Sequence, residues 1–123
     1  MMNSALIVID VQRDVVANAC RPGEVIANIV GLVDRAREER GVERLVVCGA
    51  QTDACIRSTL HGAIARGYNA TLVSDAHTTD DCSWATPPLS AEQVIAHTNF
   101  YWNWQRTPRA AGGTNLAAEV VFS

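Results

Sequence analysis

The sequence of 123 residues contains no lysine, and all ten of its cationic side chains are arginine. A mechanism that needs a lysine amine is therefore excluded. The formal net charge is only −3, and no basic stripe marks a nucleic-acid-binding surface. The N-terminal apolar run ends at Asp10 and is too short for a signal peptide or a membrane span. We expect neither nucleic acid nor a membrane among the partners.

Motifs for cofactors and metals are also missing. No G-x-G-x-x-G occurs, and Gly112-Gly113 is predicted to form a turn. The three histidines lack ligand spacing such as H-x-x-x-H, so we expect structural or surface roles for His61, His77 and His97. The sequence therefore predicts no cofactor and no metal site.

The four cysteines do not form a C-x-x-C pair. Because no export signal is recognisable, we expect no disulfide framework and a reducing, cytoplasmic compartment. Cys48 lies in an apolar run and is predicted to belong to the core. The others are Cys20, Cys55 and Cys82.

Apolar runs rich in β-branched residues alternate with helical patterns. Three runs predict buried strands, Ala5–Ile9, Leu45–Cys48 and Ala70–Val73, and Glu119–Phe122 predicts a weaker last strand. This alternation is typical of an α/β fold with an open, mostly parallel sheet and helices on its faces. The hydrophobic content of 48% predicts one domain over residues 1–123.

Capping residues and helical spacing predict three helices between these strands. Ile26 begins an apolar stripe that stops at Gly41. Thr52 is predicted to cap the second helix. Ser90 and Gln93 fit a capping box that opens the last helix.

Cys55 is the candidate nucleophile, because the segment Gly49–Cys55 turns from a strand into a helix. Unpaired N–H groups and the helix dipole are expected to stabilise its thiolate there. Asp10 ends the first strand, so a parallel sheet would bring both residues to one edge, where the carboxylate can accept the thiol proton. The alternative is that Asp10 caps a loop and Cys55 is an inert, buried side chain.

Four segments together resemble the isochorismatase-like cysteine hydrolases. They are Ala5–Gln12, Cys48–Arg57, Val73–Ala76 and Ile95–Phe100. The resemblance covers nearly the whole chain and implies a truncated form of the three-layer fold of that family. It also implies a small-molecule substrate and self-association into a homo-oligomer.

The resemblance implies a role for each matching site residue. Cys55 would be the nucleophile and Asp10 the acid/base partner. The backbone N–H groups of Gln51 and Cys55 would form the oxyanion hole, after a cis peptide bond between Ala50 and Gln51. The substrate would carry an amide, carbamoyl or vinyl-ether group.

The third member of the catalytic triad of the family is a lysine, which this chain does not have. The resemblance places that lysine in a stretch that is missing here, between Val42 and Glu43. Arg13 or Arg57 could supply a cation, although a guanidinium matches an ammonium poorly in geometry.

The missing stretch also affects the fold. The first strand would become an edge strand with exposed apolar residues and marginal stability. Right-handed crossovers would place the first helix on the face opposite to its position in the family.

Two other functions remain open at the level of sequence. The absence of lysine favours a non-catalytic, truncated family member that acts as an interaction module. A redox-responsive protein that pairs Cys55 with Cys48 or Cys82 is the third hypothesis. The aromatic segment Tyr101–Trp104 fits a core or oligomer contact, or a substrate pocket.

Overall fold

The computed structural model of the chain describes residues 3–10, 34–35 and 37–122. Within these ranges the strands are β1 (Asn3–Asp10), β2 (Val42–Ala50), β3 (Asn69–Thr78) and β4 (Gly112–Asn115). They form one sheet in the order β1-β2-β3-β4, and every neighbouring pair is parallel. The predicted open parallel sheet is confirmed, and β1 is its edge strand among the described residues.

Two helices follow the second and third strands. A π-helical turn, Thr52–Ile56, leads from β2 into helix α1 (Arg57–Ala65). Helix α2 (Ala91–Trp102) connects β3 to β4, and a short 3-10 turn, Ala117–Glu119, follows β4. Residues 34–35 and 37–40 are helical and lead into β2. The rest of the predicted first helix, from Ile26, lies outside the described residues.

The predicted capping box at the start of α2 is confirmed. The backbone N–H of Gln93 donates to Ser90 Oγ at 3.1 Å, and the backbone N–H of Ser90 donates to Gln93 Oε1 at 2.9 Å. Both donors lack a partner within the helix, so the two side chains satisfy them and fix where α2 begins.

One face of the sheet packs against α1 and α2 and forms the hydrophobic core. Alternate residues of a strand point to the same face, so Ile7 and Ile9 of β1 contact this side. Trp102, at the end of α2, is completely buried and donates from Nε1 to the carbonyl oxygen of Ala70 at 2.9 Å. The core is completed by Leu45, Val47, Ile56, Leu60, Ile64, Tyr68, Ala70 and Leu72.

The opposite face of the sheet is covered, among the described residues, by the segment after β4. Ala117, Val120 and Phe122 lie over Val46 and Cys48 around an apolar hollow of about 180 Å³. Leu6 of β1 lines the same hollow and is still 52% exposed, and Val8 of β1 is 61% exposed. The predicted exposure of apolar residues at the first strand is confirmed.

The described end of the first helix packs on the same face as α1. Tyr68 Oη donates to Asp34 Oδ1 at 2.7 Å, and the Arg37 guanidinium lies 4.7 Å from the centre of the Tyr68 ring. Because the strand order advances in one direction from β1 to β3, two right-handed crossovers place both helices on one side of the sheet.

Two predictions for the C-terminal part are wrong. Gly112-Gly113 begins strand β4 and is not a turn, and Glu119–Phe122 is not a strand. A Cβ at Gly112 would lie 2.4 Å from the carbonyl oxygen of Trp102. The absence of a side chain therefore lets β4 pass close to the end of α2, while the apolar C-terminal residues cover the other face of the sheet.

Gly49, near the end of β2, leaves no room for a side chain against β1. Its φ is +119°, and a Cβ there would lie 1.7 Å from the carbonyl oxygen of Ile9. Backbone atoms cannot move away as a flexible side chain could. Only glycine fits both the angle and the space.

We expect Gly49→Ala to lower the free energy of unfolding by roughly 3 kcal/mol or more, because it combines a backbone clash with a disfavoured φ. Gly113→Ala is the matched control, since a Cβ there meets nothing within 4 Å. Urea denaturation of the three proteins measures the difference. Equal losses in the two variants would contradict this account of Gly49.

Candidate active site

The backbone beyond β2 makes the turn that carries Cys55. After Gly49 the Ala50–Gln51 peptide bond is cis, as the sequence resemblance implied. The π-helical turn begins at Thr52, with the N–H groups of Ala54 and Ile56 both donating to the Gln51 carbonyl oxygen at 3.1 Å. Cys55 therefore lies within the first turns of a helix at the carboxyl edge of the sheet, as predicted.

Asp10 ends β1 at the same edge, with its Cα paired to that of Ala50. Its backbone is therefore next to the residue that precedes the Cys55 turn. The Asp10 side chain and Arg13 lie outside the described residues, so their predicted roles stay predictions. The other candidate cation, Arg57, is the exposed first residue of α1.

Cys55 is buried, with 5% of its surface exposed, and belongs to the core cluster with Ile9 and Ile56. Burial raises the pKa of the Cys55 thiol, and a hydrogen bond from its own backbone N–H only partly offsets this. The prediction that the start of the helix stabilises the thiolate is therefore wrong. Loss of water around the sulfur outweighs the hydrogen bond from the backbone N–H.

Thr52 does not act as the predicted helix cap. Gln51 occupies the N-cap position and makes no side-chain capping bond. The Thr52 hydroxyl, which is completely buried, instead lies 2.7 Å from His77 Nδ1 near the end of β3. His77 Nε2 lies 2.8 Å from Asn99 Oδ1 on α2, so the three side chains form a hydrogen-bonded chain.

His77 is buried, as its predicted structural role requires. Burial lowers the pKa of His77, and the hydrogen bond with Asn99 partly opposes this shift. The imidazole is therefore neutral near pH 7. The sequence predicted only a capping role for Thr52 and no role for Asn99, so neither bond to His77 was predicted.

The loop after β3 is also tied to the Cys55 turn. Gln51 Nε2 donates to Asp80 Oδ2 at 3.1 Å, and the Thr79 hydroxyl donates to Asp53 Oδ1 at 2.6 Å. These exposed bonds involve Gln51 and Asp53, which lie one residue before and one residue after the start of the turn at Thr52. The turn is thus held by contacts both inside and outside the core.

A cavity of about 280 Å³ lies beside this turn, between the start of α1 and helix α2. Tyr101 lines this cavity, whereas Trp102 is in the core and Trp104 is 72% exposed. The aromatic segment therefore contributes both to the core and to a cavity. The lining residues are Asp53, Arg57, Cys82, Leu89, Gln93, Val94, His97, Thr98 and Tyr101.

Two kinds of feature are absent from the described residues. They hold no group of three or more His, Cys, Asp or Glu side chains that could bind a metal ion. None of the helices in this part of the chain is long and apolar enough to cross a membrane.

Comparison with known protein families identifies the segment that contains the Cys55 turn. Residues 38–98 match the family model described as the isochorismatase domain. The chain is isochorismatase-like. The resemblance recognised in the sequence is thereby confirmed.

Two curated relatives match over part of the isochorismatase-like chain. An uncharacterized isochorismatase family protein, YddQ, of Bacillus subtilis (strain 168) is 37% identical over 57 residues, which are 46% of this chain and 32% of that protein. A streptothricin hydrolase of Streptomyces noursei is 38% identical over 66 residues, 54% of this chain and 26% of that protein. The chain spans about a third or less of the matched relatives' length.

Solved structures share the fold. An isochorismatase from Pseudomonas putida KT2440 superposes with a TM-score of 0.64 at 19% identity, covering 97% of this chain and 90% of that one. A cysteine hydrolase from Pseudomonas syringae pv. phaseolicola 1448A gives a TM-score of 0.57 at 23% identity, covering 71% and 39%. These likenesses show the α/β fold of the isochorismatase-like chain.

Because burial raises the pKa of Cys55, we expect its alkylation by iodoacetamide to increase with pH through a midpoint above that of a free cysteine, about 8.5. Peptide mass spectrometry after timed alkylation across the neutral and alkaline range measures this midpoint. The cysteine of a short unstructured peptide in the same reaction is the reference. A midpoint below that of the reference would contradict the effect of burial.

Proposed function

We propose that this isochorismatase-like chain is a hydrolase of a small molecule and that Cys55 is its nucleophile. The observation that carries the proposal is the placement of Cys55 in a tight turn at the sheet edge where Asp10 ends β1. The substrate class is an amide, carbamoyl or vinyl-ether compound. Self-association and a cytoplasmic location belong to the same proposal.

The raised pKa of Cys55 requires a proton acceptor for attack at neutral pH, and we assign that role to Asp10. With an amide or carbamoyl substrate, the sulfur bonds to the carbonyl carbon as the proton moves to Asp10, and the carbonyl electron pair moves onto oxygen. The N–H groups of Gln51 and Cys55 donate to this oxyanion. Collapse then breaks the bond to the leaving group, which takes the proton back from Asp10.

Hydrolysis of the resulting thioester completes the cycle. Asp10 accepts a proton from water, and the hydroxide attacks the acyl carbon. The Cys55 thiolate leaves and takes up the proton. No step in this sequence uses a lysine, and the chain offers none.

The exposed guanidinium of Arg57, two residues after Cys55, lines the cavity beside the turn. A fixed positive charge there favours a substrate with a carboxylate or another anionic group. We therefore propose an anionic or strongly polar small molecule.

The alternative function is a non-catalytic interaction module. It is favoured by the absence of lysine and by the burial of Cys55. A redox pair of Cys55 with Cys48 is disfavoured, because Cys48 lines the hollow on the opposite face of the sheet. Cys82 lies in the cavity beside α2 and stays the other candidate redox partner.

We expect Cys55→Ala to lower the hydrolysis of a panel of small amides and carbamoyl compounds by at least about 10³-fold. We expect Asp10→Asn to lower it by about 10²–10⁴-fold, since it removes the proton acceptor. Product formation by the full chain, followed by mass spectrometry, measures both effects.

Cys48→Ala is the matched control, because it removes a thiol from the opposite face of the sheet and leaves the Cys55 turn and its neighbouring cavity intact. Activity that survives in Cys55→Ala would overturn the assignment of the nucleophile. A panel without any turnover by the wild-type chain would favour the interaction module.

A further inference from the structure

We propose that His77 is a positioning residue for Cys55, which holds the turn in register through the Thr52 hydroxyl and is itself held by Asn99. The proposal rests on the proposed function, since it names the residues that position the proposed nucleophile. Thr52 is completely buried and His77 is 7% exposed. The bonds of 2.7 Å and 2.8 Å between them and Asn99 are therefore shielded from water.

The donor and acceptor roles in this hydrogen-bonded chain are fixed at the end formed by Asn99. Asn99 Nδ2 donates to the carbonyl oxygen of Ser74 at 3.1 Å, so Asn99 Oδ1 faces His77 and must accept. His77 Nε2 consequently carries the proton, and its Nδ1 is left as an acceptor. The Thr52 hydroxyl must then donate to His77 Nδ1, which fixes its orientation.

The chain joins three separate elements at the carboxyl edge of the sheet. Thr52 begins the turn three residues before Cys55, His77 lies on β3 opposite Gly49, and Asn99 lies on α2. A shift of α2 or of the end of β3 would therefore be transmitted to the turn. The N–H groups assigned to the oxyanion hole, those of Gln51 and Cys55, belong to the same turn.

Loss of this hydrogen-bonded chain is expected to slow the chemical step more than it weakens substrate binding. Catalytic groups must be held to within about 0.5 Å, and small displacements lower turnover far more than they weaken binding. Neither His77 nor Thr52 lines the cavity. Loss of the hydrogen-bonded chain should therefore lower kcat.

Four variants separate the two bonds of His77. Thr52→Ser keeps the donor, and Thr52→Val removes it with little change of shape. His77→Asn keeps an acceptor at the place of Nδ1, whereas His77→Gln keeps a donor at the place of Nε2 and gives up the bond to Thr52. The comparison within each pair is the test.

We expect kcat to fall by about 10–100-fold in Thr52→Val and His77→Gln, with KM changed by less than about 3-fold. Thr52→Ser should stay within about 5-fold of the wild-type kcat, and His77→Asn should fall less than His77→Gln, because it keeps the bond to Thr52 and loses only the bond to Asn99. Steady-state kinetics on the best substrate of the panel gives both constants, and thermal melts confirm that each variant is folded. Equal losses within each pair, or no loss in any variant, would overturn the proposal.

Two readouts do not depend on turnover and separate this proposal from the proposed function. Nitrogen-15 NMR of the wild-type chain should show His77 neutral and protonated at Nε2, and the Nδ1-protonated form would overturn the proposal. Cys55 alkylation should be at least about 5-fold faster in Thr52→Val and His77→Gln, because a loosened turn exposes the buried thiol. Cys82 is the internal reference. If the panel shows no turnover while these two results hold, only the hydrolase assignment fails.

Discussion

The contact of Gly49 of β2 with the Ile9 backbone of β1, which leaves no room for a side chain, is the constraint on which the rest of this structure depends. It sets the register that puts Asp10 beside Ala50 and starts the cis turn at the end of β2. Any side chain at Gly49 would push β1 away from β2. The proposed acid/base residue and the proposed nucleophile would then no longer share an edge of the sheet.

The turn that follows this contact is stabilised at the expense of the reactivity of its thiol. Cys55 packs into the core, and the loss of water raises its pKa. A buried thiol is well positioned but protonated, so its chemistry depends on a neighbouring base. The buried hydroxyl of Thr52 and the imidazole of His77 satisfy each other, which avoids the cost of an unpaired polar group near the sulfur.

The two faces of the sheet are covered very differently. Helices α1 and α2 and the described end of the first helix lie on one side, as a succession of right-handed crossovers in one direction requires. On the other side, the described residues cover the sheet with the segment that contains Val120 and Phe122. Its anchors are the Asp75 carboxylate, which accepts from the Ala117 N–H at 2.7 Å, and the Arg44 guanidinium, which donates to the Val121 carbonyl oxygen.

Strands β1 to β3, the start of α2 and the edge at which Cys55 lies could all be predicted from the sequence alone. Apolar β-branched runs and a capping box are local patterns, and the parallel order follows from alternation of strands and helices. Tertiary structure alone decided that Gly112 belongs to a strand, that Thr52 bonds to His77, and that the pKa of Cys55 rises. Each of these depends on atoms distant in the chain: the Trp102 carbonyl, an imidazole on β3, and the apolar groups that exclude water from the sulfur.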